Sequence, residues 1–247
     1  MANTSNKVAF ITGANRGIGF ETAKRLGELG IEVVLGVRDL VKGLHAVEQL
    51  EELGITARAL AYDAEKPETA NAVYDYLEKN FGKLDILVNN AGIANEQLMG
   101  KNNSSTIQVD VLQQTFQTNL FSIIALTQKL LPLIKKAPAG RIVNLSSILG
   151  SLTLHSMPDS PIGPAKAFAY NSSKAALNAY TIHLAHELSD TNIKVNSAHP
   201  GWVKTDLGGP GAPMEIADSY KTSVYLATLA ENGPTGGFFH EAEALPW

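Results

Sequence analysis

Short apolar runs alternate with amphipathic stretches along almost the whole chain, and few architectures accommodate that pattern. Residues 8–11, 32–37, 57–61, 84–88, 141–145 and 194–198 are β-rich and apolar, without strict in–out alternation. Helix-period segments follow them at residues 20–29, 40–53, 66–81, 108–131, 170–188 and 217–229. Strands that are apolar on both faces, each followed by a helix, imply a parallel sheet covered on both sides. The expectation is therefore a single doubly wound α/β domain over residues 1–247, since no repeat, low-complexity tract or Pro/Ser-rich linker divides the chain. Within it, Gly30 closes the first helix and Pro67 suits the first turn of the third. Pro132 helps to end the long helix, and Gly237-Phe238-Phe239 forms a last strand. In the second helix Leu40, Leu44, Val47 and Leu50 share one face. Two long loops are left over, residues 94–107 and 151–169, and loops of that length are usually functional.

Charge and cysteine content narrow the function. A net charge of −4 offers no basic excess to displace phosphate counterions, which argues against a general nucleic-acid binder. With no cysteine, disulfides, thiolate metal sites and cysteine nucleophiles drop out, and a reducing compartment is the simplest home. Residues 1–7 are polar and the run 8–11 is too short for a signal-peptide core. No apolar stretch reaches membrane-spanning length, so the expectation is a cytoplasmic protein without a membrane partner.

The first strand runs into Thr12-Gly13-Ala14-Asn15-Arg16-Gly17-Ile18-Gly19, directly before the first helix. Glycines at such a turn let a pyrophosphate approach the amides of a helix N-terminus, so a dinucleotide site is expected there. An acid that would hold a free ribose is expected at the end of the second strand, where Val37 stands instead, followed by Arg38 and Asp39. Arg16 and Arg38 together suit a 2′-phosphate, or else are two solvated surface arginines. The reading favours NADPH/NADP+ over NADH, with Asp39 turned away or paired with a base. Asp63, after the third strand, either accepts from an adenine amino group or is a turn or helix-cap aspartate.

Tyr170 and Lys174 stand four residues apart, one helical turn, and an ammonium close to a phenol lowers its pKa. Together with Thr12-Gly13-x-x-x-Gly17-x-Gly19, Asn89-Asn90-Ala91-Gly92, Asn119, Ser147 and Pro200-Gly201, this pair resembles the ordered signature of the short-chain dehydrogenase/reductases across essentially the whole chain. The segment 199–206 and the ending Gly236-Gly237-Phe238-Phe239…Pro246-Trp247 are similar to that family's carbonyl-reductase-like branch. The resemblance implies a Rossmann fold and a catalytic tetrad of Asn119, Ser147, Tyr170 and Lys174. Tyr170 would protonate the carbonyl oxygen as hydride reaches carbon, and Ser147 would donate to the same oxygen. Lys174 would lower the tyrosine pKa and bind the nicotinamide ribose, and Asn119 would hold a relay water. Gly13, Asn15, Arg16, Gly17, Ile18, Gly19, Arg38, Asp63, Asn90, Ala91, Gly92, Pro200, Gly201, Val203 and Thr205 would contact the cofactor, with Tyr170 and Lys174. Ser146 is a rival for the serine role. Ser147 and Tyr170 are farther apart than in most members and much closer than in animal carbonyl reductases, which leaves pocket shape and oligomeric state (dimer, tetramer or monomer) open.

The substrate expected is a small carbonyl compound, apolar or aromatic, lined by Ile93, Ala94, Leu98, Leu149, His155, Met157 and Trp202. A cofactor-binding regulator or scaffold with no turnover is the alternative. A hydrolase using Ser147 lacks a G-x-S-x-G elbow. His183 and His186 share a helix face without a third ligand, so no metal site is expected. His240, Glu241 and Glu243 are read as a polar surface turn.

Overall fold

The computed structural model describes residues 7–66 and 68–247. Its strands are β1 (Val8–Thr12), β2 (Glu32–Val37), β3 (Ala57–Ala61), β4 (Ile86–Asn89), β5 (Arg141–Leu145), β6 (Lys194–His199), β7 (Phe238–His240) and β8 (Glu243–Ala244). They form one sheet in the order β3-β2-β1-β4-β5-β6-β7-β8, parallel except for the β7–β8 edge pair. The chain order reverses between β1 and β4, so the carboxyl ends of those strands open a crevice there.

The helices are α1 (Gly17–Glu28), α2 (Leu40–Glu51), α3 (Thr69–Phe81), α4 (Val109–Phe116), α5 (Ser122–Ile134), α6 (Leu152–Ser156), α7 (Phe168–Glu187) and α8 (Lys221–Ala227). Successive strand residues point to opposite faces, and both faces are apolar. Ala9, Ile11, Val33 and Leu35 pack against Ala23, Leu26, Val47, Leu50 and Leu226 of α1, α2 and α8. Val8, Phe10, Val34 and Leu87 pack against Val73, Leu77, Leu126, Leu130 and Leu184 of α3, α5 and α7. The doubly wound reading holds, because burial on both faces is what lets strands drop the alternation.

Four local expectations are corrected. In α2 the buried face is Gly43, Ala46, Val47 and Leu50, while Leu40 and Leu44 are 43% and 51% exposed. Gly43 is the reason: a Cβ there would lie 2.5 Å from Val37 Cγ2, so the helix approaches the sheet on the glycine side. Pro132 lies inside α5 rather than at its end. Its ring removes the N–H that would bond the Gln128 carbonyl, a loss offset by the full burial of Leu133 and Ile134 directly after it. The long helical pattern is also interrupted by a π turn, Gln117–Phe121, with Asn119 at its centre. The third helix starts at Thr69, not residue 66, and Pro67 lies outside the described residues. The C-terminal polar turn is real, with Glu241 at φ 52°, but it leads into β8.

Candidate active site

Along the carboxyl edge of the sheet runs a cleft of about 680 Å³. At one end the β1–α1 turn carries Gly13 and Gly17 at φ 65° and 60°, in the left-handed region that favours glycine. A Cβ on Gly19 would meet Asn90 Nδ2 at 2.5 Å and the Gly13 carbonyl oxygen at 2.7 Å, so that turn tolerates no side chain. Asn90 in turn donates from Nδ2 to the Thr12 carbonyl at 2.7 Å. The Thr12 hydroxyl accepts from the Asn90 and Ala91 backbone N–H groups at 3.0 and 2.9 Å. Thr12 thus fastens the ends of β1 and β4 across the crevice. It was visible in the glycine motif, but its bonding partners lie almost eighty residues away.

Asn15, Arg16, Gly17, Ile18, Gly19, Arg38, Asp63, Asn90, Ala91 and Gly92 border the cleft together with Gly13. Arg38 stands exposed at the rim. Arg16 forms an ion pair with Asp206 across the mouth, both side chains exposed. Asp39 is turned away as expected: its carboxylate caps α2 by accepting from Val41 and Lys42 N–H. Asp63 borders the cleft, and its carboxylate accepts from Glu65 N–H within its own turn, as the turn-aspartate reading has it.

Pro200, Gly201, Val203 and Thr205 form the opposite wall after β6. Gly201 sits at φ 97°, and this loop is tied to itself by Trp202 Nε1–H donating to the Gly208 carbonyl at 2.8 Å. Val203 forms a bridge with Met214. Gly17 and Thr205 nearly meet over the cleft, since a Cβ on Gly17 would be 3.7 Å from Thr205 Cγ2.

At the far end the four tetrad residues converge. Tyr170 and Lys174 lie in the first two turns of α7 and are only 6% and 3% exposed. Lys174 Nζ donates to the Leu145 carbonyl at 2.7 Å and lies 5.7 Å from the Tyr170 ring centre. Burial pushes the Tyr170 phenol up to about 12, against a hydrogen bond from Ser147 that works downward. Burial also lowers Lys174 to about 8. The expected lowering of the tyrosine pKa is therefore not what this geometry gives. Taking both groups out of water favours their neutral forms, and the ammonium spends its bond on Leu145.

The two serines part company. Ser146 points its hydroxyl at the Lys174 carbonyl, 3.4 Å away, whereas Ser147 faces the tyrosine and also accepts from Leu149 N–H at 3.2 Å. Asn119 is fully buried, and the π turn sets its amide against the loop that follows β4. Its Oδ1 accepts from Ile93 N–H at 2.9 Å, and its Nδ2 donates to the Ile93 carbonyl at 2.9 Å and to Ser173 Oγ at 3.0 Å. Gly92 leaves the space between: a Cβ there would be 3.3 Å from Asn119 Oδ1 and 3.4 Å from Lys174 Nζ.

Around this end the wall is apolar. Ile93, Leu98, Leu149 and Trp202 line it as expected, joined by Met99, Pro161, Ile162, Leu207 and Ile216. Ala94, His155 and Met157 do not. His155 is turned under the loop, its ring bonded to the Leu149 carbonyl and Lys166 Nζ, and Met157 points to solvent. The segment 151–169 contains the short helix α6, whose direction carries those two residues off and brings Pro161 and Ile162 to the rim. His183 and His186 are exposed on α7, away from the cleft.

A glycine-turn crevice at the reversal of a parallel sheet, ending in a buried Tyr–Lys–Ser group, defines a dinucleotide-dependent dehydrogenase fold. Residues 7–215 match the short chain dehydrogenase family. The chain is 33% identical to the NADPH carbonyl reductase 1 of Mus musculus over 286 aligned residues, which cover 99% of this chain and all of that one. It is 30% identical to (-)-isopiperitenone reductase of Mentha piperita, over 97% and 98% of the two chains. The structure of NADPH-bound carbonyl reductase from chicken fatty liver superposes with a TM-score of 0.84 at 26% identity, covering 98% of this chain and 99% of that one. The chain belongs to the short-chain dehydrogenase/reductase family, in its carbonyl-reductase-like branch.

Proposed function

We propose that the protein is an NADPH-dependent reductase of ketones and aldehydes, reversible in principle, with Tyr170 as the proton donor. The observation that carries this is a buried, protonated phenol beside Ser147, at the end of an apolar-walled cleft that begins at a glycine cradle. The cradle fits a dinucleotide: Gly13, Gly17 and Gly19 clear the approach to the amides of α1, and Arg16 and Arg38 border the same end for a 2′-phosphate. Bound there, NADPH supplies the hydride.

The protein's own residues handle charge and position. Ser147 and Tyr170 hydroxyls donate to the substrate carbonyl oxygen, where negative charge develops. A phenol held near 12 is fully protonated at neutral pH, the state required of an acid. Lys174, anchored on Leu145, lies one turn away and stabilises the tyrosinate formed when that proton is given up. Reprotonation runs through a relay water at Asn119, the role that the family resemblance implies for this residue.

Leu98, Met99, Leu149, Ile162 and Trp202 favour an apolar or aromatic carbonyl compound. We assign this work to the cytoplasm, the reducing compartment that suits a chain without cysteines. The test is NADPH consumption with a panel of aryl ketones. Tyr170→Phe should lower kcat by about a hundredfold or more. No consumption by the parent, or a Tyr170→Phe variant that turns over like the parent, refutes the proposal and favours a binding protein without turnover.

A further inference from the structure

The helix that carries Tyr170 begins without a cap of its own. Ala167 stands at the N-cap of α7 and has no side-chain oxygen to offer. The first backbone bond of the helix runs from Asn171 N–H to the Ala167 carbonyl at 2.8 Å, which leaves the N–H groups before it to find other partners. One of these belongs to Tyr170, a residue too buried for water to serve it easily. Its N–H donates to Glu96 Oε2 at 3.1 Å, across 74 residues of sequence.

Glu96 lies in the loop after β4, three residues beyond Ile93, which the Asn119 amide grips from both sides. Two and three residues further on, Leu98 and Met99 form part of the apolar wall. The strip from Ile93 to Glu96 is thus pinned at one end to Asn119 and at the other to the backbone of Tyr170. A carboxylate at a helix N-terminus also meets the favourable end of the helix dipole, which strengthens the bond. From the other side, Asn171 Nδ2 donates to the Ala165 carbonyl at 2.8 Å, so the second long loop is tied to the same first turn.

We infer that Glu96 is a positioning residue: its carboxylate caps α7 at Tyr170 and couples the placement of the phenol to the loop that walls the substrate. The inference rests on Tyr170 being the proton donor. Neither charge pattern nor helical periodicity marks Glu96, because its partner is a main-chain group on a distant helix.

Two near-isosteric variants of the full chain test it. Glu96→Gln keeps an oxygen acceptor for the Tyr170 N–H, and Glu96→Met removes it. Steady-state reduction of an aryl ketone is measured with NADPH and with its 4-deuterated form, and NADPH affinity by fluorescence reports that each variant is folded. Glu96→Met should lower kcat about tenfold and raise the deuterium isotope effect on kcat, since a displaced phenol slows the chemical step itself. Its KM for the ketone should rise, and its NADPH affinity should stay within about twofold of the parent, while Glu96→Gln keeps kcat within about threefold.

A Glu96→Met variant that loses only thermal stability, with kcat and isotope effect at parent values, overturns the assignment. So does a Glu96→Gln variant as impaired as Glu96→Met. Tyr170→Phe is assayed alongside. If it keeps parent activity, the proton-donor reading falls and this inference with it; if it is inactive while Glu96→Met is unimpaired, only the role of Glu96 falls.

Discussion

Replacing Lys174 by methionine should abolish efficient reduction and yet make the protein more stable. Lys174 is buried, and its pKa is lowered from 10.5 to about 8 by burial alone. At neutral pH the side chain is charged in both the folded and the unfolded chain. The lowered folded pKa then corresponds to about 3 kcal/mol of destabilisation. Methionine fills a similar volume and removes the charge. Losing the ammonium bond to the buried Leu145 carbonyl returns about 2 kcal/mol of that gain. The net expectation at pH 7 is about 1 kcal/mol of added stability, a rise in Tm of roughly 3 °C for a chain of this size.

The sign reverses with pH in a defined way. Between about 8 and 10.5 the unfolded chain holds a proton on Lys174 that the folded chain has lost, so parent stability from this group rises with pH there. The advantage of Lys174→Met should therefore shrink from pH 8 upward and turn into a deficit, the lost bond to Leu145, before pH 10.5. Thermal and urea unfolding without added cofactor, at pH 7, 8, 9 and 10, measures it. A variant less stable than the parent at pH 7, or an advantage that does not change with pH, refutes the burial argument.

Two further outcomes are open to simple measurement. Thr12→Val keeps the shape of the side chain but strands the Ala91 N–H group, at about 1–3 kcal/mol, and leaves the Asn90 N–H with its bond to the Val88 carbonyl alone. It should lower Tm by several degrees and weaken NADPH binding, and an unchanged Tm would show that Thr12 does not fasten β1 to β4. Arg38→Ala should raise the NADPH dissociation constant about tenfold or more and leave that of NADH where it was. If the preference between the two is unchanged, Arg38 does not serve the 2′-phosphate.

The local features were legible in the amino-acid order. Apolar strands buried on both faces, a glycine turn that needs left-handed backbone at Gly13 and Gly17, and a Tyr–Lys pair one helical turn apart depend on near neighbours only. Such features survive translation from sequence to structure because backbone sterics and helical period are local physics. What the tertiary structure decided is whatever depends on water and on distant chain. Burial of both Tyr170 and Lys174 moved the tyrosine pKa up instead of down, although their spacing is as expected. The tertiary structure also set the Ser146 hydroxyl on the α7 backbone and the Ser147 hydroxyl on the phenol, although the two are neighbours in the chain. The direction of α6 took His155 and Met157 out of the wall and brought Pro161 and Ile162 in. Thr12, Asn119 and Glu96 each act on a main-chain group far away in sequence. No periodicity encodes a bond of that kind, because its geometry exists only once the sheet has brought the two segments together.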